Sequence, residues 1–322
     1  MYDLIIIGGG PAAVGAGVYA ARKKLKTLLI AESFGGQSIT SDKIENWIGD
    51  IEISGFDLSE KLEKHVRAQK ELEIKAGEKA AKVEASNCTD GARVCDFTVT
   101  TDKGASYVSK AIILAAGARR RRTGAPGEDK LEGKGVAFCA TCDAPLFSGK
   151  DVAVIGGGNA GLEAVVDLLP YARKVYLMVR SEIMKGDPVT QEEIKKHPQV
   201  EILFNAVPKE FVGEQFMNGL IYTNAKTNEE KKLDVSGVFI EIGSVPNSEM
   251  VKGLVDMNSF GEIAIDAKTA ATSHLGIFAA GDITDDIYKQ NNISVGDGVR
   301  AALSAYSYIL QIKKHTPTEA SE

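Results

Sequence analysis

The chain has 322 residues, enough for about two domains with their own buried cores, which excludes a small scaffold held by staples. With 44% apolar and 25% charged residues, its composition is that of a folded globular protein rather than a disordered chain. Lys and Arg number 38 against 44 Asp and Glu, a net charge of −6, so no positive field exists to hold nucleic acid.

In chain order, residues 2–32, YDLIIIGGGPAAVGAGVYAARKKLKTLLIAE, read as strand, glycine turn, helix and strand. The opening strand is continuously apolar, as expected of a parallel sheet covered by helices on both faces. A helix-like stretch follows over 56–75, then an alternating β-like stretch over 81–109 and an apolar strand over 111–115 closed by Gly117. The arginine run 119–122 and the Gly-Ala-Pro-Gly after it mark a boundary, and the run is expected to be a solvated linker. Residues 150–180, KDVAVIGGGNAGLEAVVDLLPYARKVYLMVR, repeat the opening pattern, and such internal similarity decides the fold. A helix pattern at 189–196, short β segments to Ile242, a linker at 243–247, strands at 262–265 and 276–280, and a helix over about 292–313 complete the chain. The polar end from His315 is expected to fray. The fold class is therefore α/β, with a doubly wound nucleotide-binding unit present twice.

No apolar run reaches the roughly 18 residues of a membrane-spanning helix. Asp3 and the glycines 8–10 break any secretory pattern, so residue 1 is expected to begin the mature fold. The four cysteines, Cys88, Cys95, Cys139 and Cys142, are too few for a disulfide framework. A reducing, cytoplasmic setting is the expectation, in which a disulfide would be working chemistry.

The first glycine motif, Gly8-x-Gly10-x-x-Ala13, sits between strand and helix, the context that gives this pattern meaning. The first glycine permits the tight turn, the second admits backbone N–H groups to a pyrophosphate, and Ala13 allows close helix packing. Pro11 and Ala12 complete the turn, and Glu32 ends the next strand, placed for a ribose diol. Gly156-x-Gly158-x-x-Gly161, with Asn159 and Ala160 between, repeats the arrangement. Two dinucleotides suggest a flavin paired with a nicotinamide, with hydride transfer between them. In the second unit Val179 is read as standing where an acidic residue would, with Arg180 and Lys185 as cations for a 2′-phosphate.

Cys139-Ala-Thr-Cys142-Asp143 is the sharpest signal. A CxxC pair beside two nucleotide motifs is a candidate dithiol/disulfide couple, one thiolate attacking while the other leaves. Asp143, if desolvated, can supply or accept the proton. A zinc half-site and an inert buried pair are the alternatives, and the zinc reading lacks a second ligand pair at metal spacing. Cys88 and Cys95 flank a turn-like Thr-Asp-Gly and could face each other across a hairpin; ordinary free thiols are expected there. His65, His197, His274 and His315 have no catalytic partner in the sequence and are read as surface or packing residues.

At this point the chain resembles the low-molecular-weight thioredoxin reductases over nearly its whole length, and the reductase portion of the alkyl hydroperoxide reductase flavoprotein about as closely. The resemblance is carried by GGGPAA (8–13), GGQ (35–37), IENW (44–47), CATCDAPLF (139–147), GGGNAG (156–161) and AAGDITD (279–285). It implies a discontinuous FAD domain, 1–117 and 248–322, with an NAD(P)H domain, 118–247, inserted and carrying the CxxC pair. It implies FAD contacts at Gly36, Gln37, Asn46, Ala116, Gly117, Gly281, Asp282, Lys289 and Gln290. It implies that Cys142 faces the flavin, that Cys139 attacks the partner's disulfide and that Asp143 is the acid-base residue. It further implies a homodimer whose smaller domain rotates between two positions, with a thioredoxin-like protein as substrate. The hydroperoxide-reductase flavoprotein has an extra N-terminal thioredoxin-like region, and the start of this chain at the flavin strand leads to the expectation of a separate acceptor.

One departure stands out. NADPH-dependent members carry His-Arg-Arg and a further Arg after the second unit's strand, where this chain has Val179-Arg180-Ser181 and Lys185. NADPH, NADH and a different electron source all stay open on the sequence. The rival readings are a flavin disulfide oxidoreductase working with ferredoxin or oxygen, and a flavin protein that senses redox state without turnover.

Overall fold

A computed structural model describes residues 1–41, 43–89 and 94–315. The chain forms two compact units, one of residues Met1–Lys43, Trp47–Arg119 and Val245–Glu322, the other of Ile44–Asn46 and Arg120–Ser244.

The first unit opens with β1 (Tyr2–Ile7), α1 (Pro11–Arg22) and β2 (Thr27–Ala31), then α2 (Gly55–Arg67), β3 (Leu72–Ala76), β4 (Ala80–Thr89), β5 (Val94–Thr101) and β6 (Ser106–Leu114). The chain leaves through β7 (Ala118–Arg120). In the second unit it forms α3 (Glu128–Leu131), β8 (Val136–Ala137), α4 (Ala140–Asp143), β9 (Asp151–Ile155), α5 (Asn159–Leu168), β10 (Lys174–Val179), α6 (Pro188–Lys195) and β11 (Val200–Phe204). There follow β12 (Ala206–Gly213), β13 (Met217–Asn224), β14 (Glu230–Leu233) and β15 (Gly237–Ile240). The chain returns through β16 (Ser244–Pro246), which pairs with β7, and ends in β17 (Ile277–Ala279) and α7 (Asn291–His315).

The sheet of the first unit runs β3-β2-β1-β6-β5-β4, with β17 also paired to β6. Its central strands are parallel, Leu4 to Ile7 aligned with both Thr27 to Ile30 and Ala111 to Leu114. Both faces of β1 are covered, which is why its residues are apolar without alternation; Leu4 and Ile6 join one core, Ile5 and Ile7 the other. Small residues let α1 and α7 touch along their backbones. A Cβ on Gly298 would lie 2.0 Å from the Ala12 carbonyl oxygen, and one on Gly15 2.7 Å from that of Val295. The second unit repeats the design in smaller form, β11-β10-β9-β15-β8, with the antiparallel β12-β13-β14 beside it.

Several sequence expectations are corrected. The helix expected over 56–75 ends at Arg67, and Leu72 to Ala76 pairs in parallel with β2, because Leu72 and Ile74 alternate with Glu73 and Lys75 in strand period. The strand expected at 262–265 reduces to isolated bridges of Ile263 with Met257 and Thr284. The arginine run is solvent-exposed at Arg119, Arg121 and Arg122, as expected, but it is also tied by surface pairs. Arg119 donates to Asn247 at 2.9 Å and pairs with Glu249 at 2.6 Å, and Arg122 pairs with Asp129 at 3.0 Å and with Glu132. Part of the linker expected at 243–247 is β16. The turn at Asp90 and Gly91 and the tail from Thr316 lie outside the described residues.

Cys88 and Cys95, expected as free thiols, form a disulfide between β4 and β5 with Cα atoms 4.0 Å apart. The register shift between Ser86 and Thr89 brings Cys88 opposite Cys95, whose side chain is buried beside Phe97 in one core of the unit. Closing so short a loop stabilises the unit by about 2 kcal/mol in the chain-entropy account. Cys88→Ser is expected to lower the unfolding free energy of this unit by about that amount, seen as a lower denaturant midpoint, and dithiothreitol to do the same to the unmodified chain. Equal midpoints with and without reductant would show that the bridge is not held in solution. Among the described residues no helix is long and apolar enough to cross a membrane.

Candidate active site

In the first unit the residues expected at a nucleotide follow the carboxyl ends of adjacent parallel strands, the crevice where open α/β sheets bind ligands. Gly8 follows β1 at φ +130°, and a Cβ there would sit 2.1 Å from the Ala115 carbonyl oxygen, so only glycine allows the strands to close. Above the turn there is room. A Cβ on Gly10 would meet nothing nearer than the Gly36 Cα at 3.8 Å, and one on Gly117 nothing within 4 Å. α1 starts at Pro11 with no side chain capping it, leaving its first N–H groups for an anion. Ala12 and Ala13 are buried under the turn, and Glu32 is exposed one residue beyond β2. The backbone cradle and the acidic residue fit the diphosphate and ribose of a dinucleotide.

Other segments arrive at the same end of this unit. Gly281, at φ +75°, starts a short turn after β17, and Gln37 Nε2 donates to Asp282 Oδ2 at 2.9 Å. Asn247 Nδ2 donates to the Ala116 carbonyl at 2.8 Å. The Gln290 carbonyl accepts from Ser294 N–H at 2.9 Å at the start of α7. Lys289 pairs with Glu262 at 3.3 Å and donates to the Thr284 carbonyl.

The second unit has the same turn. A Cβ on Gly156, at φ +148°, would meet the Glu241 carbonyl oxygen at 2.2 Å, one on Gly161 would meet the Gly156 carbonyl oxygen at 2.1 Å, and Gly158 faces open space. Lys185 and Gly186 N–H groups donate to the Gly157 carbonyl at 2.7 and 3.1 Å, and Asn159 Oδ1 accepts from Asp187 N–H at 2.7 Å. The loop after β10 is thereby folded onto the turn. Ala160 is exposed at the start of α5.

Strand register corrects one reading here. Ile7, just before the first motif, aligns with Ile30, and Ile155, just before the second, aligns with Met178. Ala31 therefore corresponds to Val179, and Glu32 to Arg180. Val179 is buried against Gly157, whereas Arg180 is exposed. A cation, not a valine, occupies the position that Glu32 holds in the first unit.

Cys139 and Cys142 form a disulfide, Cα atoms 5.3 Å apart, around the single turn of α4. Asp143 N–H donates to the Cys139 carbonyl at 3.1 Å. The turn is anchored on both sides. Thr141 Oγ1 donates to Asp167 Oδ2 of α5 at 2.6 Å, and Phe147 packs edge-on against Phe239 of β15, over Gly237, where a Cβ would come within 2.1 Å of the ring. Burial pushes the Asp143 carboxyl up to about 6, with Arg120 opposing. Asn46, expected near the flavin, donates from Nδ2 to Cys142 Sγ at 3.8 Å within this same unit. Sequence reasoning missed Glu241. Burial pushes its carboxyl up to about 7; Arg120 and a hydrogen bond from Ala140 N–H oppose this, and Asp167 and Asp143 add to it. A carboxylate directly after the apolar run Val238 to Ile240 was the signal available.

Two glycine-turn units, one of them carrying a CxxC disulfide beside a half-buried carboxyl, define a dinucleotide-dependent disulfide oxidoreductase. Residues 2–298 match the family model for pyridine nucleotide-disulphide oxidoreductases. The chain is 42% identical over 310 residues to an NADH dehydrogenase of Bacillus subtilis (strain 168), covering 96% of this chain and 59% of the relative. It is 42% identical over 312 residues to an alkyl hydroperoxide reductase component of Pseudomonas aeruginosa, covering 96% and 58%. A crystal structure of thioredoxin reductase from Streptococcus pyogenes matches with a TM-score of 0.88 at 33% identity, over 97% of this chain and 99% of that one. The chain thus spans less than two thirds of the length of these curated relatives. It belongs to the pyridine nucleotide-disulphide oxidoreductases, in the thioredoxin reductase family, with similarity to the hydroperoxide reductase component. Its cofactors are those of the family, FAD and NAD(P)H.

Proposed function

We propose that the chain is a thioredoxin-type disulfide reductase in which the Cys139–Cys142 pair, once reduced with electrons that NADPH and FAD would supply, reduces the disulfide of a thioredoxin-like protein. The observation that carries this reading is the CxxC disulfide on a one-turn helix with the half-buried carboxyl of Asp143 next to Cys142. The first unit, through Gly8, Gly10, Glu32, Gly36, Gln37, Gly117, Gly281 and Asp282, holds FAD. The second, through Gly156, Gly158, Gly161, Arg180 and Lys185, holds the nicotinamide nucleotide. When bound, the flavin supplies a two-electron carrier between nicotinamide and sulfur.

The chain's own part is exchange chemistry. Cys139 as thiolate attacks one partner sulfur; the partner's S–S bond breaks and a mixed disulfide forms. Cys142 then attacks Cys139 Sγ, restoring the Cys139–Cys142 disulfide and releasing the second partner thiol. The two protons of the dithiol end on the partner's sulfurs, and Asp143, its carboxyl pushed up to about 6 by burial, is the group placed to pass one. Asn46 donates toward Cys142 and orients its sulfur. A homodimer is part of this reading.

Arg180 supports NADPH over NADH, since a guanidinium where Glu32 stands in the other unit meets a 2′-phosphate rather than a ribose diol. Mixed anaerobically with the flavin-loaded protein, NADPH is expected to bleach the flavin at least about tenfold faster than NADH, and Arg180→Gln to remove the difference. Faster bleaching by NADH would overturn the NADPH assignment, and bleaching by neither would overturn the nicotinamide as donor.

A further inference from the structure

The chain carries a second pair of cysteines that the chemistry above does not use. The bridge between Cys88 and Cys95 joins β4 to β5 within the first unit, and its two ends differ. Cys88 is exposed. Cys95 is 1% exposed and lies in the core that holds Val83, Phe97 and Val99, where it packs as a small apolar residue. In thiol–disulfide exchange the incoming thiolate approaches one sulfur from the side opposite to the sulfur that leaves, so access to each sulfur decides which is attacked. The core closes that approach to Cys95. Solvent opens it to Cys88, with Cys95 as the leaving sulfur.

The strands do not depend on the bridge for their alignment. β4 pairs antiparallel with β5 from Ala80 opposite Thr101 to Ser86 opposite Asp96. At the slip that follows, Asn87 takes φ +50°, a left-handed conformation that asparagine adopts more readily than most residues. Asn87 Nδ2 donates to Asp96 Oδ2 at 3.1 Å, and Asp96 Oδ1 accepts from Lys110 Nζ of β6 at 2.6 Å. Each cysteine therefore has a neighbour in a side-chain tie that crosses the three strands and involves neither sulfur. The Ser86 carbonyl oxygen lies 3.8 Å from Cys88 Sγ, an acceptor for the S–H of an opened bridge. Opening the disulfide needs no unfolding of the sheet.

We propose that Cys88–Cys95 is a second exchange-competent disulfide, a modification site at which a low-molecular-weight thiol is taken up covalently on Cys88 while Cys95 is released as a thiol in the core. A thiolate forms an S–S bond to Cys88 Sγ, the bond to Cys95 breaks, and Cys95 leaves with the electron pair and takes a proton from water. One disulfide replaces another with no net oxidation. A second molecule of the thiol then removes the first as its disulfide and leaves Cys88 as a thiol; the cysteine pair has gained two electrons and two protons, and the two small thiols have lost them. Exchange at this site is independent of turnover at Cys139 and Cys142.

The test incubates the full flavin-loaded chain with millimolar reduced glutathione, quenches with acid, alkylates the remaining thiols in denaturant and digests with trypsin without reductant. Cleavage after Arg93 puts Cys88 and Cys95 in separate peptides, and neither shares a peptide with Cys139 or Cys142. Mass spectrometry is expected to find the glutathione adduct on Cys88 in at least about tenfold excess over Cys95, with Cys95 recovered as the alkylated thiol. Equal adducts on both cysteines, the pattern of reaction through global unfolding, would overturn the proposal, as would a preference for Cys95 or a peptide pair that stays wholly linked. Two variants read the access of each sulfur alone. Cys95→Ala puts a methyl group in the core, and its Cys88 thiol should alkylate under native conditions at least about tenfold faster than the Cys95 thiol of Cys88→Ser. Equal rates in the two variants would remove the one-sided access on which the exchange depends.

Discussion

Cys139→Ser and Cys142→Ser are each expected to lower NADPH-driven reduction of a thioredoxin-like protein by at least about a thousandfold, because residues that act as one unit fail together when either is removed. Serine preserves the turn: the Asp143 N–H bond to the Cys139 carbonyl, the Thr141–Asp167 bond and the packing of Phe147 on Phe239 involve neither sulfur. Flavin content and bleaching by the nucleotide should therefore persist. Cys139→Ser should leave an unpaired Cys142 thiol, whereas Cys142→Ser should leave Cys139 able to attack and trap the partner as a stable mixed disulfide, since the thiol that resolves it is gone. A trapped conjugate visible by non-reducing electrophoresis in Cys142→Ser but not in Cys139→Ser would support the assigned order of attack. The reverse pattern would exchange the two roles, and turnover surviving in both variants would refute the reductase reading.

The parts of the fold that are legible in the sequence are those where one physical requirement dominates. Leu4 to Ile7 and Val152 to Ile155 lie between two covered faces and so read as continuous apolar runs. Gly8 and Gly156 abut a neighbouring strand's backbone, and the glycine spacing announces it. The CxxC pair is legible for the same reason, its chemistry being local to one turn. What stays hidden depends on register or on distant segments. The Cys88–Cys95 bridge needs the slip between Ser86 and Thr89 that brings the two residues opposite each other. The correspondence of Arg180 with Glu32 follows from strand pairing and not from motif counting. Glu241 is far along the chain from Arg120, and only folding brings the charge of Arg120 to bear on it and on Asp143. The helix expected over 56–75 runs too long because Leu72 and Ile74 fit a helical face as well as a strand, and pairing with β2 decides between them.

Gly8→Ala and Gly156→Ala are expected to separate the two nucleotide sites. Each glycine combines a backbone at φ +130° or +148° with a neighbouring carbonyl oxygen at 2.1 or 2.2 Å from any Cβ. The contact is with backbone, so no side-chain rotation relieves it, and the strand end must shift. A cost of about 2–4 kcal/mol is expected for each, combining backbone strain with overpacking. Gly104→Ala and Gly149→Ala are the matched controls, one in each unit. They have positive φ values of +81° and +72° but nothing within 4 Å of a Cβ, so only the conformational cost of about 1 kcal/mol applies. Gly8→Ala should purify with little flavin yet still be retained on an immobilised NADPH analogue. Gly156→Ala should remain yellow, accept electrons from dithionite and show almost no bleaching by NADPH. The separation follows from the contacts, since the clash at Gly8 falls on Ala115 of the first unit and that at Gly156 on Glu241 of the second. Loss of flavin from Gly156→Ala with retention in Gly8→Ala would reverse the assignment of cofactors to units.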